Sequence, residues 1–340
     1  MDQLKAPVAK GPVPSTPPRT PFSVRRTSTI DTIWPDGKDA PMLQQGHARD
    51  LLTLANVAEP VVLAEDRFAA RLNSDRKIIE ISAAPGRPGM GDLAGARVGG
   101  QLRAAIAEVL PGERENATPL YLLLDDIAGS SLVGPWAWAL WTPNWQEMVT
   151  SKLEAAGQQR SKEGVCIAFR PGGRVLEIRG AASKVDHMRK VHALDGGSDP
   201  FAWHDLTPRT EVAATRARRI DVWIEGDDIL VESYFRDSAI SPAGEHWAVH
   251  EYLLSARADR ATQTLQAITA EPRILPHGEC PEAILNMGRM VGTPLREMRQ
   301  AVLSQLARIE GCTHLNDMMR SLAEVPQLSA ALVEAQEAEV

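Results

Sequence analysis

The chain has 340 residues, enough for two domains of ordinary size. With 44% hydrophobic and 24% charged residues it has the composition of a globular protein. Its net charge of −7 excludes a nucleic-acid binder that works by neutralising phosphates. No apolar run approaches the roughly 18 residues of a membrane span, and the N-terminal residues lack a signal-peptide core. Three scattered cysteines are too few for a disulfide framework. The expected compartment is the cytoplasm.

Residues 1–24 are rich in Pro, Ser, Thr and Lys and read as a disordered tail. Residues 25–134 read as a first α+β unit. It opens with the strand-like "STIDTIWPDG", continues with the hairpin "FAARLNSDRKIIEISAAP", and closes on the helical "ARVGGQLRAAIAEVL" and "LLLDDIAGSSLV". The adjacent Asp125 and Asp126 fit capping of the helix that follows them.

Residues 135–215 form a different segment, with Trp136, Trp138, Trp141 and Trp145 in "GPWAWALWTPNW" and Trp203 in "FAWHD". Their bulk suits either self-burial between the flanking units or an aromatic substrate wall. Cys166, in "GVCIAF", reads as core, and His187, His192, His204 and His47 as solvated.

Residues 216–333 read as a second α+β unit. "RRIDVWIEGDDILVESYFRDS" alternates across a Gly226-Asp227 turn, and a second strand pair turns near Asp259. A helical stretch runs from Pro281 with Leu295, Met298, Val302 and Leu306 at three- and four-residue steps, and "LNDMMRSLAEV" makes a last helix. The acidic residues 334–340 are expected to fray.

Four segments of the second unit echo four of the first in the same order, so the expected fold class is α+β: two similar antiparallel-sheet-plus-helices units, an internal duplication, with the Trp-rich insertion between them. In this alignment Gly99 faces Gly292, Leu102 faces Leu295 and Asp126 faces Asp317. Tyr121 and Leu123 stand where the second unit has Cys312 and His314. One half then keeps a polar site and the other has a degenerate one.

That polar site is the main chemical signal. His250 and Glu251 in "WAVHEY", His277 and Cys280 in "LPHGEC", and Cys312 and His314 in "GCTHLND" all fall in the last third of the chain. Thiolate and imidazole suit zinc or iron better than calcium or magnesium. Residues two apart on a helix point about 200° apart, so Cys312 and His314 ligate together only from a non-helical turn. The expected ligands are His250, Cys280 and Cys312. His314, Glu251 and His277 are the expected proton-transfer partners, or a fourth ligand. The bland alternative is that the cysteines are small buried hydrophobes. Asp237 and His246 end up as weaker candidates for a cavity wall.

"VHEYLLSARAD", "ITAEPRILPHGEC", "VGTPLREMRQAV" and "GCTHLND" resemble a bacterial family of unknown function, number 2889, over about residues 217–330. That resemblance implies no activity. The order of ligand, strand pair, Cys, helix and late Cys is also similar, more distantly, to the NifU-like iron–sulphur cluster scaffolds. There the matching positions would be His250 with Glu251, Cys280 and Cys312. A His in place of the first Cys favours a single ion over a cluster.

No Gly-rich nucleotide loop and no Gly-x-Ser-x-Gly elbow occurs. The expected function is a zinc- or iron-dependent enzyme, of lyase or hydrolase type, acting on a hydrophobic or aromatic small molecule, without nucleic-acid or membrane partners. The alternatives are a non-catalytic metal or iron–sulphur transfer module and a structural zinc protein.

Overall fold

The structure is a computed structural model that describes residues 5–145, 147–149, 151, 162–177, 184–195 and 197–338. One antiparallel sheet organises it. Strands β1 (Ser23–Ile33), β2 (Met42–Thr53), β3 (Val61–Leu72) and β4 (Ile78–Ala84) form one meander. Strands β6 (Ala213–Glu225), β7 (Asp228–Ile240), β8 (His246–Asp259) and β9 (Leu265–Ile274) form another. The two join where β1 pairs with β6, antiparallel, with Ser28 opposite Arg218. The short β5 (Arg189–Val191) pairs with the start of β8, and β9 with the rest of it.

The hairpin turns fall where the sequence places them. β6 and β7 bracket Gly226-Asp227, and β8 ends at Asp259. Gly226 takes a positive φ of 59°, which the tight turn needs and glycine supplies without steric cost.

Helices cover one face of the sheet. They are α1 (Gly100–Val109), α2 (Pro111–Glu115), α3 (Pro119–Ser130), α4 (Gly134–Trp141), α5 (Arg174–Glu177), α6 (Met298–Gln305), α7 (Thr313–Arg320) and α8 (Val325–Ala338). The long helix expected from Pro281 is instead a 3₁₀ stretch, Cys280–Met290, then a turn at Gly292 (φ 86°), then α6. Leu295, Met298, Val302 and Leu306 are nevertheless buried together in the second unit's core. The periodicity marked the buried stripe correctly, while Gly292 and Pro294 broke the helix.

The other face is covered by residues 5–22 and by part of the insertion. Residues 5–22, read from composition as a tail, lie against the sheet. Arg19 is buried on Asp199, and the Val13 amide donates to Glu251 Oε2 at 2.8 Å. Composition does not register such contacts, because they are made chiefly by backbone groups and by the polar side chains of Lys10, Thr16 and Arg19, with Val13 adding a small apolar contact. The acidic end continues α8 to Ala338.

The two meanders have two irregularities in common, and the second has one more at Glu251/Tyr252. Each has a bulge directly after an aspartate, at Asp50/Leu51 and at Asp237/Ser238, and a second at Arg71/Leu72 and Arg257/Ala258. The Gly95 amide donates to Ile78 O and the Gly292 amide to Leu265 O, both at 2.8 Å, and both glycines have φ of 86°. Gly95 thus has the same backbone role in the first meander as Gly292 in the second.

Candidate metal centre at the Asp237, His250 and His314 cluster

The central strands carry arginines that alternation would send to solvent, yet both faces of the sheet are covered. Arg26, Arg216, Arg218 and Arg219 are all nearly inaccessible. Buried charges must be paired, and on the helix side they are. Arg26 grips Asp50 with Nε–Oδ1 and Nη2–Oδ2 distances of 2.6 Å. Arg216 grips Asp237 in the same manner, at 2.9 and 3.0 Å. In each case the partners are direct neighbours across adjacent strands. Arg216 also reaches Asp317 at 2.9 Å, and Arg218 forks onto Asp126. Asp125 and Asp126 therefore do not cap a following helix. They sit inside α3, Asp125 binding Arg103 and Arg320 and Asp126 binding Arg218.

This network positions the site. Asp237 faces His250 across β7 and β8, immediately before the bulge. His314 enters from the first turn of α7, whose N-cap is the extended Cys312. His250 Nδ1 lies 3.2 Å and His314 Nε2 3.5 Å from Asp237 Oδ2. The two imidazoles stack, centroids 3.4 Å apart and planes 23° from parallel. Although close to Asp237, buried His250 Nδ1 is not aligned for a hydrogen bond and has no other partner. Among the described residues, these three are the one group of three or more His, Cys, Asp or Glu whose donor atoms all fall within 4.8 Å of one another.

The protonation states follow from the surroundings. Burial alone would push the Asp237 carboxyl up, but Arg216, with His250 and His314, holds it well below the usual carboxylate range. Burial pushes His314 far below the usual histidine range, and the neighbouring His250 and Arg216 push it the same way against Asp237. An ionised carboxylate beside a neutral imidazole is the state a divalent ion requires. Zinc bonds of about 2.0–2.1 Å in tetrahedral geometry separate their donors by about 3.3 Å, which matches both distances around Asp237 Oδ2.

The other expected site residues lie as follows. Cys312 adjoins the cluster, its Sγ 3.8 Å from His314 Nδ1 and 3.7 Å from the Tyr252 hydroxyl. Burial pushes its thiol up to about 11, so it is protonated at neutral pH. Cys280 is buried, pushed up by burial and by Cys312 and Cys166, and is outside the three-residue group. Glu251, next to His250 on the strand, points to the opposite face, where Tyr234, Arg236 and the Val13 amide use its carboxylate. His277 packs its ring on Phe169 and His187, each at 5.5 Å. His204, read as solvated, is buried between the Thr27 and Thr29 hydroxyls, each at 2.9 Å.

Asp237 was underweighted in the sequence. Its signal is an acid near the end of a strand whose last residues lie opposite "TRARR", where Arg216 is its cross-strand neighbour. The first unit has an arginine–aspartate pair of its own, Arg26–Asp50, but there Ala64 stands opposite the aspartate, whereas His250 stands opposite Asp237.

The Trp-rich helix α4 packs beside this cluster. Ala137 sits with Ala214, Ala239 and Val249, and Trp34, Trp136 and Trp247 pack around them. The tryptophans here are largely partners of one another and of the sheet: Trp34 meets Trp138 edge-on at 5.6 Å, and Trp138 stacks on Trp145 at 6.2 Å.

Comparison with known proteins gives one match. Residues 214–327, from β6 into α8, match the family model described as a protein of unknown function (DUF2889). The matched part contains Arg216, Asp237, His250, His314 and Asp317. No curated protein and no solved structure matches the chain. No helix among the described residues is long and apolar enough to cross a membrane.

Proposed function

We propose that this protein is a metal-dependent enzyme of the hydrolase or lyase type, in which Asp237, His250 and His314 hold one zinc or iron ion. The observation that carries the reading is the convergence of three donor atoms within 4.8 Å of one another, one of them a buried imidazole nitrogen without an aligned hydrogen bond. Two imidazoles and a carboxylate are a familiar set for catalytic zinc and for non-haem iron, and three protein ligands leave positions open. A bound ion there would polarise a substrate oxygen or acidify a water.

The chain's own residues supply the rest. Arg216 fixes Asp237 through both oxygens, which directs the carboxylate and is the outer support that metal ligands need. Cys312, protonated and bridging His314 to Tyr252, holds the imidazole rather than competing for the ion. The apolar side of α4 beside Val249 supports a hydrophobic or aromatic small molecule as substrate. We also read the two meanders as copies of one unit, the first having kept the ion pair and lost both histidines.

A second reading, a metal-binding module without turnover, is favoured by one observation: two large clefts open on the other face of the sheet. The test is elemental mass spectrometry of protein purified without chelator and of protein reconstituted anaerobically. Near one zinc or iron per chain, lost in Asp237→Asn and His314→Ala, supports the centre. Chelator-sensitive turnover of aromatic esters or hydroxy compounds then separates the enzyme from the module. Absence of stoichiometric metal under both conditions would sink both readings.

A further inference from the structure

Across the sheet from the metal cluster, residues Asp205–Arg209 run as a strap over the other face, and a cleft opens on each side of it. Thr29, Asp31, Leu206, Thr207 and Arg209 line both clefts. The strap is tied down. Arg209 binds Asp31 Oδ2 at 3.0 Å and Gln45 Oε1 at 2.8 Å, and His47 Nδ1 lies 3.2 Å from Asp205 O.

The cleft over β6, β7 and β8 has a volume of about 350 Å³, within the range of small-molecule sites. Its wall is mainly Leu194, Leu206, Pro208, Ala213 and Ile240. The charged lining residues cancel, because Asp31 is held by Arg209 and by the Thr215 hydroxyl at 2.6 Å. Neither is free to receive a ligand's charge. On the strands that floor the cleft, two polar groups are free. The Ser238 hydroxyl and the His246 imidazole line the cleft from neighbouring strands, and neither makes a side-chain hydrogen bond with a described residue.

We propose that this cleft is a second binding site, for an uncharged, largely apolar small molecule whose hydroxyl or carbonyl end bonds to Ser238 and His246. The apolar wall supplies the affinity, and the two unpartnered groups orient the polar end, since burying them without a partner would cost free energy. Burial, then Arg236, pushes His246 below the usual histidine range, which keeps it uncharged at neutral pH and agrees with a neutral ligand. A carboxylate in place of the hydroxyl would be desolvated without a cation to meet it. The site is independent of the metal reading, because Ser238 and Asp237 project to opposite faces of β7.

The experiment is a fluorescence titration with N-phenyl-1-naphthylamine, an uncharged apolar probe, followed by displacement with 1-decanol and with decanoate. The expected result is saturable binding near one probe per chain, with decanol displacing it at least about tenfold better than decanoate. Ala193→Trp fills the mouth of the cleft at an exposed position and should weaken probe binding about tenfold or more while leaving metal content unchanged. Ser238→Ala should weaken displacement by decanol and leave probe affinity within about threefold. Absence of saturable binding overturns the proposal, as does binding that Ala193→Trp does not alter in a folded variant. Equal displacement by decanoate overturns the assignment of an uncharged ligand.

Discussion

The imidazoles of His250 and His314 stack 3.4 Å apart, and each has a nitrogen within 3.5 Å of the same oxygen of Asp237. Two rings in a protein core gain little from such an arrangement unless their nitrogens are occupied, because a buried unpaired acceptor or donor costs about 1–3 kcal/mol. A shared ion would satisfy both. Replacing either ligand, in His250→Ala or His314→Ala, should lower zinc affinity by about 100-fold or more, beyond the 10–100-fold typical of outer partners. Cys312→Ser should stay within about tenfold of wild type, since its sulfur contacts His314 rather than the cluster's centre. Competition titration with a chromophoric chelator measures both. Equal losses in Cys312→Ser and His314→Ala would place the thiol among the ligands.

Arg216 is the support on which that geometry rests. It is buried, and it answers the charges of Asp237 and Asp317 with Asp126 nearby. Removing one member of such a network leaves uncompensated buried charge, worth about 3–5 kcal/mol. Arg216→Met should therefore lower unfolding stability by about that amount in urea titration. It should also reduce metal affinity about 10–100-fold by releasing Asp237. The matching Arg26→Met, between Asp50 and Glu324, should cost similar stability and leave metal affinity unchanged. A stability loss without any change in metal affinity for Arg216→Met would detach the arginine from the site.

Helix α3 approaches this arginine through Gly129. A β-carbon there would lie 1.8 Å from Arg216 Nη1 and 2.4 Å from its Cζ. Alanine within a helix normally gains about 1 kcal/mol over glycine. Here the clash meets a guanidinium pinned by two aspartates, and overpacking of that kind costs about 1–3 kcal/mol. Gly129→Ala should therefore be destabilising by thermal denaturation, the reverse of the helix expectation. A stabilised variant would show that the guanidinium has room to move.

How much of this could be read from the residues depends on where neutralisation happens. The α+β class, the hairpins and the buried stripe of Leu295, Met298, Val302 and Leu306 follow from local periodicity, and the structure has them. His250 and His314 stood out because imidazoles are few and recur near cysteines. Asp237, Arg216 and Asp126 did not, because a charged residue on an alternating strand is ordinarily solvent-facing. Their burial depends on helices from distant parts of the chain covering both units. For the same reason Glu251 was grouped with its neighbour His250, although the pleat sends adjacent side chains to opposite faces. His204 reads as solvated because its partners, Thr27 and Thr29, lie far away in sequence.

His204 gives the clearest pH expectation outside the cluster of Asp237, His250 and His314. It is buried between two threonine hydroxyls, which a neutral ring satisfies with one donor and one acceptor. Burial pushes it well below its usual value of 6.5, and the neighbouring His47, Arg49 and Arg67 act the same way. The unfolded chain therefore takes up a proton near pH 6.5 that the folded chain refuses. Stability is full above that pH and falls as pH drops below it, at up to about 1.4 kcal/mol per pH unit for this group. His204→Gln keeps a donor and an acceptor without a titrating proton. Urea unfolding of the variant between pH 7 and pH 5 should show a shallower decline than wild type by up to that slope. His47 also has a lowered value, so some acid sensitivity should persist. Identical pH profiles for the two proteins would mean that His204 is protonated in the native state, and that one of its threonine contacts rearranges to accept the charge.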